Sequence, residues 1–421
     1  MADARDRSGG VVGCWPMNRK GKVTFNGLRD PTLAVVTLAV ALGCGADERD
    51  SGSIARDSAG VTIVESARPQ WSPGEEWQVA REPTVAIGRT EGAEEYQLFR
   101  VIAAHRMADG RIVIANWGSQ ELRFYDETGA YLFAVGKEGG GPGEFRSLGR
   151  MWIRGDTLVV MDFQLMRISL FTADGDLVRS FNLTHTSDGI LPIPAELFSD
   201  GSLLVEHNLR DRNPQSGLRR DSVMLLTYSL DGELIDTIGQ FPGDETYYLI
   251  ERDMITSLPR PFGLESQQDV AGNLLYFGAG DSYEIQVFAS DGTLERIMRR
   301  PVANAGVTQE EADAYRDRVL ERQQRMAPAF RELSRQVELP ATKPAYTQIL
   351  VDSRENVWVA EYPEHDGDRS LWDVFDPEGR WLGKVETPYG GYIYQIGEDF
   401  LVGVWVDELD VEQVRLYEIE R

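Results

Sequence analysis

Four histidines are available for acid–base or metal chemistry in this chain: His105, His185, His207 and His365. No two of them fall at the HExxH or a similar spacing that would set paired imidazoles on one face of an element. The two cysteines, Cys14 and Cys44, both precede the first strand-like stretch. Downstream of Cys44 the sequence therefore offers no thiol nucleophile, no disulfide and no Cys-ligated metal. No GxSxG elbow is present. The run Gly136–Gly143, inside GKEGGGPGEF, lacks the Gly-Lys-Ser/Thr ending of a phosphate loop and leads into a strand rather than a helix. What remains for chemistry is a set of carboxylates, amides and aromatics, and its meaning depends on the elements that position it.

Those elements repeat. In Glu121–Phe145, Leu122 and Phe124, then Tyr131, Phe133 and Val135, alternate with other residues, the period of a strand. Asp126–Gly129 supplies a tight turn between the two runs. The same hairpin recurs as ISLFTADGDLVRSF, LLTYSLDGELIDTI, IQVFASDGTLERIM and WDVFDPEGRWLGKV. Each is preceded by two more strand-like runs, giving units over roughly 98–136, 146–183, 192–240, 262–300 and 345–387. A sixth unit begins at Tyr392 and ends with Val414–Ile419, one strand short. Four-stranded units of about 40–50 residues predict an all-β, six-bladed β-propeller. An N-terminal strand closes the last blade, because an open ring would leave sheet edges unpaired. Thr84–Ile87 is favoured for this role since it leads directly into the first unit, with Val61–Glu65 as the alternative. The Gly136–Gly143 run then becomes the step between two blades, with Glu144 and Phe145 plugging the junction.

One segment departs from strand periodicity. Between blades four and five, residues 307–338 read as a helical insertion. Thr308 and Glu311 form a capping box, and Ala312, Tyr315 and Val319, then Phe330, Leu333 and Val337, recur at helical spacing. Pro328 breaks the run into two helices. The insertion is either packing on the ring or a lid or partner surface.

The motifs GKEGGGPGEF, LRFYDETG (Leu122–Gly129) and DFQLMRISLFTADG (Asp162–Gly175) make the domain over 60–421 resemble six-bladed propellers of the NHL/TolB-like kind. In particular it resembles propeller lipoproteins of Gram-negative bacteria. The resemblance implies the fold; propellers of this kind host binding, scaffolding, lyase and lactonase activities. Propeller lyases of the amidating type hold zinc with several histidines at the channel. Here only His207 and His365 fall in connections expected to face it. No cofactor is expected, Ca or Zn being the ones a channel of this kind would take, and no metal ligand is assigned.

The N-terminus reads as an export signal. From Met17, the expected true start, Arg19, Lys20, Lys22 and Arg29 form a positive region. Thr32–Leu42 is an apolar run too short to span a bilayer as a mature helix. It ends in Ala41-Leu42-Gly43-Cys44, which resembles a bacterial lipobox with Ala41 where leucine is usual. Residues 1–43 are thus expected to be a signal segment, Cys44 the lipidated residue and 44–59 a flexible tether. Gly45 follows Cys44 where an inner-membrane retention signal would have Asp, so the resemblance points to the outer membrane, facing the periplasm. The formal net charge is −25, and the basic leader makes the remainder more acidic still. Such a chain repels nucleic-acid phosphates, so no nucleic-acid partner is expected.

In a propeller, the second-to-third-strand loops and the blade-to-blade connections share one face around the channel mouth. That places Asn116, Trp117, Asp162, Gln164, His207, Asn208, Arg210, Asp281, Tyr283, Glu361, Tyr362 and His365 as candidate binding residues. Such a mixture suits a polar ligand, a peptide or a cation. The expected function is an envelope-anchored binding or protein-interaction module with a periplasmic or cell-surface protein or peptide as partner. The alternative is a metal-dependent lactonase-like or amidating-lyase-like enzyme acting at the channel.

Overall fold

The computed structural model describes residues 52–186, 192–209, 215–251, 254–322, 327–362, 369–407 and 409–421. The signal segment, Cys44, Arg210 and His365 lie outside the described residues. The described residues form six sheets, each built on a meander of antiparallel strands. Blade one runs over Val101–Val135, blade two over Leu148–Asn182, and blade three over Ile193–Pro259. Blade four runs over Gln267–Arg299, blade five over Gln348–Pro388, and blade six begins at Tyr392.

Alternation explains both faces of every blade. Strands such as Ile112–Asn116 and Thr157–Asp162 are buried almost throughout because each lies inside its sheet and between two neighbouring sheets. Six apolar clusters result, one between each adjacent pair of blades. The cluster of Phe124, Phe145 and Phe171 joins blades one and two, and that of Val402, Ile114 and Val414 joins blades six and one. The ring is therefore closed by packing all the way round.

It is also closed by hydrogen bonding. Val85–Ile87 pairs antiparallel with Glu412–Glu420, the third strand of blade six, in the register Val414 with Ile87 and Leu416 with Val85. Gln78–Val79 continues along the same strand. The favoured closing strand is thus the observed one. The alternative, Val61–Glu65, has a different place: Val61–Ser66 pairs in parallel with Leu294–Arg299, the outer strand of blade four. Ser53–Ser58 then pairs with Val61–Ser66 and makes blade four six-stranded. This corrects the tether, read as 44–59, since Ser53–Ser58 is an ordered strand. The polar alternation of SIARDS, exposed at five of its six positions, resembles a linker but suits an outermost strand equally well.

Blade three also exceeds its expected bounds. Its third and fourth strands, Gly217–Tyr228 and Leu234–Glu251, run on past the ring as a long hairpin, and Met254–Pro259 adds a fifth strand. The pairing passes Pro242 and Gly243 with a register shift between Arg220 and Ser222.

The insertion forms α1 (Gln309–Arg322) and α2 (Pro328–Arg335). The capping box is made: the Glu311 amide donates to Thr308 Oγ1 (3.2 Å) and the Thr308 amide to Glu311 Oε2 (2.8 Å). Pro328 starts α2, where its missing N–H costs nothing. The Tyr247 hydroxyl donates to the Glu338 carbonyl (3.1 Å) and accepts from the Glu338 amide (2.7 Å), and Arg260 Nε donates to the same carbonyl (3.0 Å). The insertion is thereby fastened to the long hairpin of blade three. No helix among the described residues is long and apolar enough to cross a membrane.

Candidate functional site

The first strand of each blade lines the ring's axis, and around it lies a cavity of about 1220 Å³. Each inner strand contributes side chains to it: His105 from blade one, Arg150 and Trp152 from blade two, Glu196 from blade three. Asp269 comes from blade four, Gln348 from blade five and Tyr392 from blade six. Glu206 on the next strand of blade three and Asp244 and Glu265 near the long hairpin add three more carboxylates.

The geometry sorts these groups. Trp152 Nε1 donates to Glu196 Oε2 (2.9 Å), and Gln268 Nε2 donates to Glu206 Oε1 (2.6 Å). Asp269 accepts the backbone amides of Val351 (2.6 Å) and Val270 (2.8 Å), which fixes blade four against blade five. Arg150 Nη1 donates to the Ala195 (2.9 Å) and Pro194 (3.2 Å) carbonyls, so its positive charge is held beside Glu196. Burial raises the Glu196 carboxyl well above the usual range, with the charge of Asp269 adding to the shift and Arg150 opposing it. Burial likewise raises Asp269, Glu206 and Asp244. Glu196 and Asp269 therefore each keep a proton to higher pH than either acid would in water. Burial pushes the His105 imidazole down to about 4, and its Nε2 lies 3.2 Å from the Met151 carbonyl, a bond that requires an N–H at that nitrogen.

Of the residues assigned from sequence, Trp117 and Asn208 line this cavity. The Trp117 ring faces the Arg100 guanidinium at 4.6 Å. The others serve elsewhere. Asp162 is buried and accepts the amides of Arg146 (2.7 Å), Gln164 (2.9 Å) and Leu165 (2.8 Å), so it shapes a loop. Gln164 is exposed on that loop. Asn116 caps another, accepting the Phe99 amide (2.8 Å) and donating to Ser119 (2.8 Å). His207 is buried within blade three, in register with Met224. Tyr283 donates to Asp373 Oδ2 (2.6 Å) inside the packing of blades four and five. Asp281 is exposed, Glu361 pairs with Lys384 (2.5 Å), and Tyr362 sits beside Phe262 and Lys343. Loop position pointed away from the inner strands, where the charged residues face the axis. Their sequence signal is a charged residue within a short inner-strand run: Glu196 in IPAEL, Asp269 in QQDVA and Arg150 in LGRMWIR.

Among the described residues, no three His, Cys, Asp or Glu side chains converge in a way that could hold a metal ion.

Two further buried ion pairs lie between blades. Arg300 Nη1 donates to Asp373 Oδ2, and the Arg300 guanidinium stacks 3.6 Å from the Trp381 ring. Arg421 pairs with Asp352 Oδ2 (2.7 Å), which also accepts Trp358 Nε1 (3.1 Å), and its guanidinium lies 4.2 Å from the Trp77 ring. Each guanidinium is paired and covered by an aromatic ring, while Asp373 Oδ1, Arg300 Nε and Arg421 Nε and Nη1 are buried without a hydrogen bond.

Residues 93–196 match the family DUF5128, described as a 6-bladed beta-propeller. No curated protein matches the sequence. Among solved structures, the chain is similar to a DUF4221 family member from Bacteroides vulgatus, at 12% identity and TM-score 0.52, over 82% of this chain and 99% of that one. It is also similar to a protein described as exported from Bacteroides fragilis, at 11% identity and TM-score 0.47, over 85% and 99% of the two chains. A catalytically inactive virginiamycin B lyase from Staphylococcus aureus, with quinupristin, is similar at 12% identity and TM-score 0.39, over 82% and 99%. At 12% identity the likeness to the DUF4221 family member bears on the fold alone, and the chain is a six-bladed β-propeller.

Proposed function

We propose that this protein is an exported propeller, lipid-anchored at Cys44 in the outer membrane and facing the periplasm. In this reading it acts as a binding module whose axial cavity takes a positively charged group presented by a periplasmic or cell-surface peptide or protein. The observation that carries the binding half is the cavity of about 1220 Å³, into which Glu196, Glu206, Asp244, Glu265 and Asp269 project. Arg150 opposes them from one side, with two backbone carbonyls already on its Nη1. A ligand ammonium or guanidinium would supply counter-charge to acids that burial raises, and Trp152 and Tyr392 offer faces for cation–π contact. The location half rests on the leader and on Ala41-Leu42-Gly43-Cys44.

The binding test is calorimetric titration of the Cys44→Ser chain with arginine- and lysine-containing peptides and with glutamate-containing controls. Binding confined to the basic peptides, lost in Glu196→Gln/Asp269→Asn, is the expected result. Equal binding of acidic peptides, or none of basic ones, would sink it. The anchor is tested separately: Cys44→Ser should move the protein from the membrane to the soluble fraction.

A further inference from the structure

The N-terminal segment does more than close the ring, and its course has a consequence for orientation. Ser53–Ser58 is the outermost strand of blade four. From Ser66 the chain crosses the edge of blade five, where the Gln70 amide donates to the Trp381 carbonyl (3.0 Å) and the Trp71 amide to that of Leu382 (2.8 Å). It then enters blade six at Gln78–Val79 and Val85–Ile87. The start of the described chain is therefore held at one point on the rim, on blade four.

From the geometry we infer that the propeller stands edge-on to the bilayer, with the outer strands of blade four against the lipid surface and both ends of the axial cavity facing away from it. This rests on the proposed lipidation of Cys44. Cys44 and Gly52 are eight residues apart, a reach of at most about 28 Å when fully extended. A domain of this size is roughly 50 Å across, so blade one, opposite blade four in the ring, cannot be the side against the membrane. Charge selects among the remaining poses. Residues 52–71 hold two cations, Arg56 and Arg68, and two anions, Asp57 and Glu65, and are neutral in a chain of net charge −25. The face made by the hairpin turns presents Asp126, Glu127, Asp174, Asp231, Asp291 and Glu378. Toward the other face, α1 carries Glu310, Glu311, Asp313, Asp317 and Glu321 against Arg316, Arg318 and Arg322, an excess of two acids. Anionic lipid repels both faces and leaves the neutral rim as the side that approaches it. On that rim Ile54 is 67% exposed.

The experiment uses the full lipidated chain, whose only other cysteine, Cys14, lies in the leader. Single cysteines at Ile54→Cys (rim), Leu132→Cys (blade one), Asp231→Cys (turn face) and Leu320→Cys (α1) are labelled with a fluorophore. Each variant is reconstituted in phosphatidylethanolamine–phosphatidylglycerol vesicles containing a headgroup-quencher lipid. Strong quenching at position 54 with little at 132, 231 and 320 is expected. Quenching at 231 or 320 equal to that at 54 would overturn the edge-on pose while leaving the anchor intact. Failure of every variant to float with the vesicles would instead overturn the anchor, and this inference with it.

Discussion

Two sets of buried acids in this ring differ in their partners; burial raises Asp373 as it raises the axial acids, but Arg300 opposes the shift there from contact distance. Asp373 and Asp352, between blades, each meet an arginine and a surrounding aromatic wall. Glu196, Asp269, Glu206 and Asp244 line the axial cavity; Arg150 acts on Glu196 and Glu206, and Arg220 on Asp244. The first set can be explained wholly by assembly: each pair ties one blade to the next or to the segment that closes the ring. The second set holds inner strands less economically, because burial of carboxyls short of counter-charge raises their proton affinity and costs stability when they ionise. A fold keeps such groups where a ligand uses them, which is why the axis and not the blade interface is the candidate site.

The contrast can be broken first at the interface. Asp373→Ala leaves the Arg300 guanidinium buried without its acid and should cost about 3–5 kcal/mol, read as a lower midpoint in denaturant unfolding. Unchanged stability would mean that the pair is not structural. Arg421→Ala removes the cation from Asp352 and the cover over Trp77, and should cost about 2–3 kcal/mol by the same measurement.

The axis should respond with the opposite sign. The Glu196 carboxyl has a folded pKa raised above its ordinary value, so the native state keeps a proton that the unfolded chain releases. Its favourable contribution is complete below the ordinary glutamate range and is lost as pH rises through the raised value. Glu196→Gln should therefore stabilise the protein by about 1 kcal/mol at pH 8 and by little or nothing at pH 4. The same variant should weaken binding of basic peptides about tenfold or more. Thermal melts at the two pH values test the first expectation and titration the second. A variant that loses stability at pH 8 would place Glu196 with the structural acids.

His105 acts on the acid side of the profile. Its folded pKa, about 4, lies below the ordinary 6.5, so the unfolded chain takes up the proton first. Stability should fall as pH drops below 6.5, by about 1 kcal/mol near pH 5.5, and level off below 4. In His105→Gln this acid limb should flatten, and a limb that persists unchanged would assign it to other groups.

Much of the fold was legible in the chain because its signals are local. Strand period, the Asp-Gly turns with positive φ at Gly129, Gly175, Gly232 and Gly292, and the Thr308–Glu311 capping box are all set within a few residues. Even Phe145 as a blade plug followed from a hydrophobic residue placed directly after a glycine step, and it packs beside Phe171. The site was less legible. Asp162 and Tyr283 have residue types that suit ligands and loop positions that suit a channel mouth. Whether such a carboxylate receives three backbone amides, or such a phenol a buried acid, depends on chain segments far away in sequence.

The sequence by itself determined the number of blades, the turn at each hairpin and the helical insertion, since each is encoded by periodicity and turn chemistry over short spans, and left the closing strand between Thr84–Ile87 and Val61–Glu65 for the structure to decide. Only the tertiary structure decided that Ser53–Ser66 joins blade four, and that Glu196 and Asp269, seventy-three positions apart, turn toward one axis. Strand addition at an edge and convergence at a centre are set by how whole sheets pack around a ring, which no local pattern records.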